Sequence, residues 1–201
     1  GVYQQENDRQ LRQDAWESVA SKRLEVADKC DDFFEQLMAL RIKIAGNAGY
    51  ENYRDFKHLQ KGRFDYKPED CFKFHEAVEK VVMPVQDELM ADRREKMKLD
   101  PLRPWDTAVD PLGLKPLKPF TQVEDMVSRT RGIFDHVDAE LAEGFQLMRD
   151  RKLLDLGNRK GKAPGGYQCS LPEARMPFIF MNAVGLQRDV ETLLHEAGHA
   201  F

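Results

Sequence analysis

Near the C-terminal end of the chain, five residues read His195-Glu196-Ala197-Gly198-His199. Imidazoles at i and i+4 are neighbours on a helix surface, so both can reach a single ion at about 2.0–2.1 Å. A carboxylate beside them can take a proton from a metal-activated water as that water attacks a carbonyl. The H-E-x-x-H spacing therefore predicts a zinc-type hydrolytic centre with His195 and His199 as metal ligands and Glu196 as catalytic base. The bland alternative is a solvated helix face. With five histidines in 201 residues, a chance match to the pattern is rare, roughly one in a hundred or less.

The helix that carries these residues has a clear apolar side. At 100° per residue, Val190, Leu193, Leu194, Ala197 and Phe201 fall on one face, and His195 and His199 fall about 140–180° away from Val190. One face is set to anchor in a core while the other presents two nitrogens and a carboxylate. Gly198 costs about 1 kcal/mol relative to Ala inside a helix, and its expected use is close approach by a backbone or a substrate.

Upstream, the apolar spacing is mainly helical. Leu11, Ala15, Val19, Val26, Cys30, Phe33, Phe34, Leu37 and Leu40 predict a helix across 8–45, stopped by Gly46 and Gly49. A short helix over 51–59 follows. Another begins near Pro68 and is expected to kink at Pro84, which lacks a backbone donor and crowds the preceding turn. The proline-rich stretch 99–120 reads as an extended connection. Thr121 and Glu124 then suggest a capping box, opening a helix whose stripe runs from Val123 to Met148. Two adjacent strands are expected at 165–170 and 177–182. The fold class is thus mainly α, with a small antiparallel β element before the metal-motif helix. The expected organisation is a helical region over 1–98, a connection over 99–120 and the start of a catalytic region over 121–201.

Other chemistry-bearing residues are weaker candidates. The segment 157–163, GNRKGKA, has neither the spacing nor the Ser/Thr of a phosphate loop and reads as a solvated basic loop. His58, His75 and His136 read as surface residues, and Cys30 and Cys71 as core. Cys169 lies upstream of the histidines and could complete a Cys/His/His set, although a plain strand residue is the simpler reading. Three cysteines without paired spacing fit reduced thiols and a cytoplasmic protein. A net charge of −4 gives no footprint for nucleic acid, and no apolar run is long enough to span a membrane.

The residues around the motif extend it. Gly161-Lys162, Gly166-Tyr167, Pro177-Phe178-Ile179, Asn182, Asp189-Val190, Thr192-Leu193, His195-Glu196 and Gly198-His199 resemble the thimet oligopeptidase and oligoendopeptidase F group of zinc peptidases. Gly166 stands where that group more usually has Ala. The segments ENDRQLRQDAWESV, AGYENYRDF and LRPWD look like the helical portion of the oligoendopeptidase F branch. The resemblance implies a mostly helical, deep-clefted enzyme that cuts oligopeptides, with one zinc and the strand near 165–170 alongside the bound peptide. It also implies a third ligand, a Glu, beyond Phe201, with further substrate-binding residues later still. By that reading the chain ends within its catalytic helix and lacks a complete site. Two other readings stay open: a self-contained metallohydrolase using Cys169, and a non-catalytic helical interaction module. The expected partners are oligopeptides, and the oligomeric state is left undetermined.

Overall fold

The computed structural model describes residues 1–201 and is built mainly of helices, with one small sheet near the C-terminal end. Two compact units divide it, Tyr3–Leu114 and Lys115–Phe201 with Gly1–Val2.

The first unit begins with α1 (Arg9–Leu24), whose first turn is capped by the Asp8 carboxylate accepting the N–H groups of Gln10 and Leu11. The helix expected over 8–45 is broken: Val26 leaves helical geometry at φ −115°, and α2 (Ala27–Asn47) starts after it. Asn52 caps α3 (Tyr53–Gln60) by accepting the Asp55 N–H. Then α4 (Pro68–Ala77) runs through a π-helical segment, Val78–Val82, into α5 (Met83–Met97). The wider π turn lies just before Pro84, where the missing N–H and the ring would disturb an ordinary α turn.

What organises this unit is a buried carboxylate. Asp106 is fully buried in a 3-10 turn, Pro104–Asp106. It accepts hydrogen bonds from Arg9 at 2.9 and 3.0 Å, from Arg12 at 3.0 Å and from the Arg103 N–H at 2.9 Å. Arg12, itself buried, also donates to the carbonyls of Glu6, Asn7 and Trp105. Arg93 on α5 donates to the Asp106 and Val109 carbonyls. The apolar stripe of α2, by contrast, is not covered within the chain. Phe33, Phe34, Leu37 and Leu40 are all exposed, as are Cys30 and, on α1, Val19.

In the second unit the stripe expected to run from Val123 to Met148 is split between α6 (Val123–Val137) and α7 (Ala139–Asp150). Asp138 is the cause. Its backbone is extended, at φ −162°, and its carboxylate accepts the Glu140 N–H at 2.7 Å, so it caps the second helix instead of continuing the first. The capping box expected at Thr121 does not form; Gln122 is the N-cap and its side chain makes no capping bond. A sheet follows, β1 (Leu154–Gly157), β2 (Tyr167–Leu171) and β3 (Met176–Ala183), in the order β1-β3-β2. β2 and β3 pair antiparallel; β1, a strand absent from the sequence expectation, pairs parallel to β3 with a bulge between Asp155 and Gly157. Ile179, Met181 and Ala183 on β3 are buried with Met126, Phe134, Phe145, Met148 and Leu156 in one core. Leu193 and Ala197 of the last helix, α8 (Gln187–Ala200), complete it.

Candidate metal centre

The position of α8 is set at its first turn. Asp189 is buried, and its Oδ2 accepts three successive backbone N–H groups, from Val184 at 2.8 Å, Gly185 at 2.9 Å and Leu186 at 2.9 Å. The Leu186 N–H is the N-cap donor of α8 and the other two belong to the turn that leads into it, so one carboxylate fixes both the turn and the helix start, with its negative charge at the favourable end of the helix dipole. Farther along, Leu193 and Ala197 have no exposed surface, and Val190, Leu194 and Ala200 pack beside them. His195 and His199 project from the opposite, exposed side, and Glu196 is half-buried between the two faces.

The two imidazoles are turned toward a common point. Their Nε2 atoms lie 3.1 Å apart, with ring centroids separated by 4.6 Å and planes at 88°. Two donors at about 2.0–2.1 Å from a tetrahedral zinc would be about 3.3 Å apart, so the pair fits the bite of such an ion. No group of three or more His, Cys, Asp or Glu side chains in the chain is placed to hold a metal. Cys169, in the middle of β2, therefore does not join the histidines as a third donor, and the Cys/His/His alternative is not formed. Nor does Gly198 serve a close approach within the chain, because nothing lies within 4 Å of where its Cβ would be.

His195 and Glu196 line a groove of about 450 Å³ with Gly166, Arg188, Glu191 and Thr192. Gly166 is the residue just before the edge strand β2. A Cβ placed on it would come 3.2 Å from Thr192 Cγ2 and 3.4 Å from Met181 Cβ. Only a residue with little or no side chain lets β2 start this close to α8.

The loop that leads to Gly166 departs from the expected solvated basic segment. Its Lys162 side chain is only 1% exposed. The ammonium donates to the Asp155 carbonyl at 2.9 Å, Asp155 Oδ1 at 3.0 Å, the Gly157 carbonyl at 2.9 Å and the Met181 carbonyl at 2.5 Å. It also lies 4.4 Å from the centroid of the Phe180 ring. Arg159 grips both oxygens of Asp155, at 2.6 and 2.9 Å. The Arg159 hydrogen bonds, with Lys162 behind them, outweigh burial and hold the Asp155 carboxyl at about 2. Asn182 donates to the carbonyls of Ala163 and Gly165, both at 2.9 Å. No spacing or pattern in the sequence assigns a role to Asp155 or Asn182. The only available signal was the bare presence of Lys162 and Asn182 in the resemblance.

The remaining candidates stand apart. His58 is buried instead of exposed, with its Nε2 2.8 Å from the Tyr66 carbonyl. His75 and His136 are exposed, and all three cysteines are free thiols.

Residues 2–201 match the profile of peptidase family M3. Among solved structures, a PZ peptidase A with an inhibitor is similar at 32% identity and a TM-score of 0.90, over 99% of this chain and 35% of its own. A structure from Bacillus anthracis str. Ames, provisionally assigned as an oligoendopeptidase F, is similar at 29% identity and a TM-score of 0.89. It is matched over 98% of this chain and 36% of its own. The chain thus spans about a third of the length of these relatives. No curated protein matches it significantly.

Proposed function

Because the chain belongs to peptidase family M3, we propose that it is part of a zinc-dependent endopeptidase that hydrolyses peptide bonds in oligopeptides. The observation that carries this reading is the pair of Nε2 atoms 3.1 Å apart on the exposed face of a helix whose other face is buried. His195 and His199 hold the ion, and a third donor comes from sequence beyond Phe201, in line with the greater length of the relatives. When bound, zinc supplies a Lewis acid that lowers the pKa of water and polarises the scissile carbonyl. Glu196 accepts the proton of the attacking water on its carboxylate and delivers it to the leaving amine. The free edge of β2 offers unpaired N–H and C=O groups to an extended peptide, and the groove at Gly166, Thr192 and His195 receives the bond to be cut.

The same reading makes the protein cytoplasmic, supported by three free thiols. No helix is long and apolar enough to cross a membrane. The deciding experiment uses the full-length protein. After dialysis it is expected to retain one zinc per chain and to cleave a quenched fluorescent oligopeptide, with activity removed by chelation and restored by zinc. The 201-residue chain, with two donors instead of three or four, is expected to lose zinc to mild chelation. A full-length protein with neither stoichiometric metal nor cleavage refutes the reading.

A further inference from the structure

One charge in the second unit is held outside the metal centre: the Lys162 ammonium, whose side chain is 1% exposed. We propose that Lys162 is a positioning residue for peptide binding, acting through the loop 158–166 on the start of β2. The proposal rests on the reading of β2 as the edge that receives the peptide.

The bulge between Asp155 and Gly157 interrupts the β1–β3 ladder. Around that interruption the carbonyls of Asp155, Gly157 and Met181 all turn to one ammonium. An ammonium has three N–H donors and no acceptor, and here they are shared among those carbonyls and Asp155 Oδ1. The carboxylate balances the charge, and the Phe180 ring covers the remaining side at cation–π distance. A lysine would not otherwise be buried. The chain must therefore return at residue 162 to the outer face of the sheet, opposite Ile179 and Met181, wherever else the loop would go.

From Lys162 the path to the groove is short. Asn182, on the same face of β3 as Phe180, ties down the carbonyls of Ala163 and Gly165. Tyr167, the first residue of β2, stacks on Phe180 with centroids 4.9 Å apart and planes at 14°. The Phe180 ring thus contacts both the ammonium and the first side chain of the edge strand. Gly166, between the two anchors, meets Thr192 one turn before His195's helical neighbour Glu196. Loosening Lys162 frees the entry of β2 while leaving α8 held by Asp189 and by Leu193 and Ala197 in the core. Edge-strand hydrogen bonds to a peptide form equally in the ground and transition states, so their loss appears in KM and not in kcat.

The test compares Lys162→Met and Asn182→Ala with wild type in the full-length protein. Amide exchange over 158–171 is read first, because it does not depend on activity. Both variants are expected to exchange at least about tenfold faster there, with 187–200 unchanged. With the oligopeptide substrate, KM is expected to rise on the order of tenfold with kcat within about threefold, and zinc content is unchanged. Lys162→Arg, which keeps the charge, is expected to restore part of the KM. Unchanged exchange in 158–171, or loss of kcat at constant KM, overturns the proposal. Should Lys162→Met fail to fold, Asn182→Ala, which buries no unpaired charge, decides by the same two readouts. Absence of any peptidase activity in wild type refutes the function and leaves the exchange result to judge the clamp.

Discussion

The Asp189 carboxylate accepts the backbone N–H of Gly185 at 2.9 Å, and Gly185 adopts φ +98°, a conformation that an L side chain rarely takes. A Cβ at Gly185 would also sit 3.4 Å from the Phe120 carbonyl. Residue 185 turns the chain so that three N–H groups converge on one oxygen, and the direction of α8 follows from that turn. Asp189→Ala is expected to leave these part-buried donors without their shared acceptor and to destabilise the fold by about 1–2 kcal/mol. Asp189→Asn, which keeps one acceptor, is expected to cost less. Thermal melting of the three proteins checks the order; an Ala variant as stable as wild type would show that the helix is oriented by its apolar face alone.

Glu196 and His195 are expected to separate in the full-length protein. Glu196→Gln keeps the shape of the side chain and loses the base, so zinc is retained and turnover falls roughly 10²–10⁴-fold. His195→Ala removes one of the paired Nε2 donors and is expected to lose the metal itself. Zinc content and rate, measured on the same preparations, distinguish the two. Near-normal turnover in Glu196→Gln would refute its role.

Gly166 and Thr192 are expected to be energetically coupled. A methyl at 166 meets Thr192 Cγ2 at 3.2 Å, so Gly166→Ala is tolerated after a small shift, at a cost under about 1 kcal/mol, whereas Gly166→Val is expected to cost about 1–3 kcal/mol. Thr192→Ser removes the opposing methyl and is expected to recover part of the Val penalty. A double-mutant cycle by denaturant unfolding measures the coupling; strict additivity would contradict the contact.

The first unit is expected to weaken in acid through Asp106. Burial pushes its carboxyl up, but hydrogen bonds from Arg9, the Arg103 N–H and Arg12 prevail and hold it at about 2, against an ordinary 3.8. A carboxyl whose folded pKa lies below its unfolded one stabilises the fold fully above the unfolded value and loses that contribution as pH falls through the folded value. The loss is therefore expected between about pH 4 and pH 2. Asp106→Asn is expected to flatten that acid limb and to destabilise the unit by about 3–5 kcal/mol at neutral pH, since the buried Arg12 is left unpaired. Unfolding followed against pH for both proteins tests this.

Local pattern determined much of the second unit. The 3.6-residue spacing of Val190, Leu193, Leu194 and Ala197 dictates which side of α8 is buried, and hence that His195 and His199 lie on the other. The alternation of Ile179, Met181 and Ala183, with a short link to β2, dictates a hairpin. Both follow from repeats contained in a few residues. Periodicity identifies an apolar face without supplying the surface that covers it, and for this reason Cys30 reads as core and is exposed, together with Phe33, Phe34 and Leu37 of the same stripe. Asp138 shows the same limit at short range, because an apolar stripe runs through a position where a carboxylate prefers to cap. Lys162 shows it at long range. Its burial depends on carbonyls from β1 and β3 that a bulge turns toward one point. No spacing near residue 162 encodes where those oxygens will be; only the assembled sheet does.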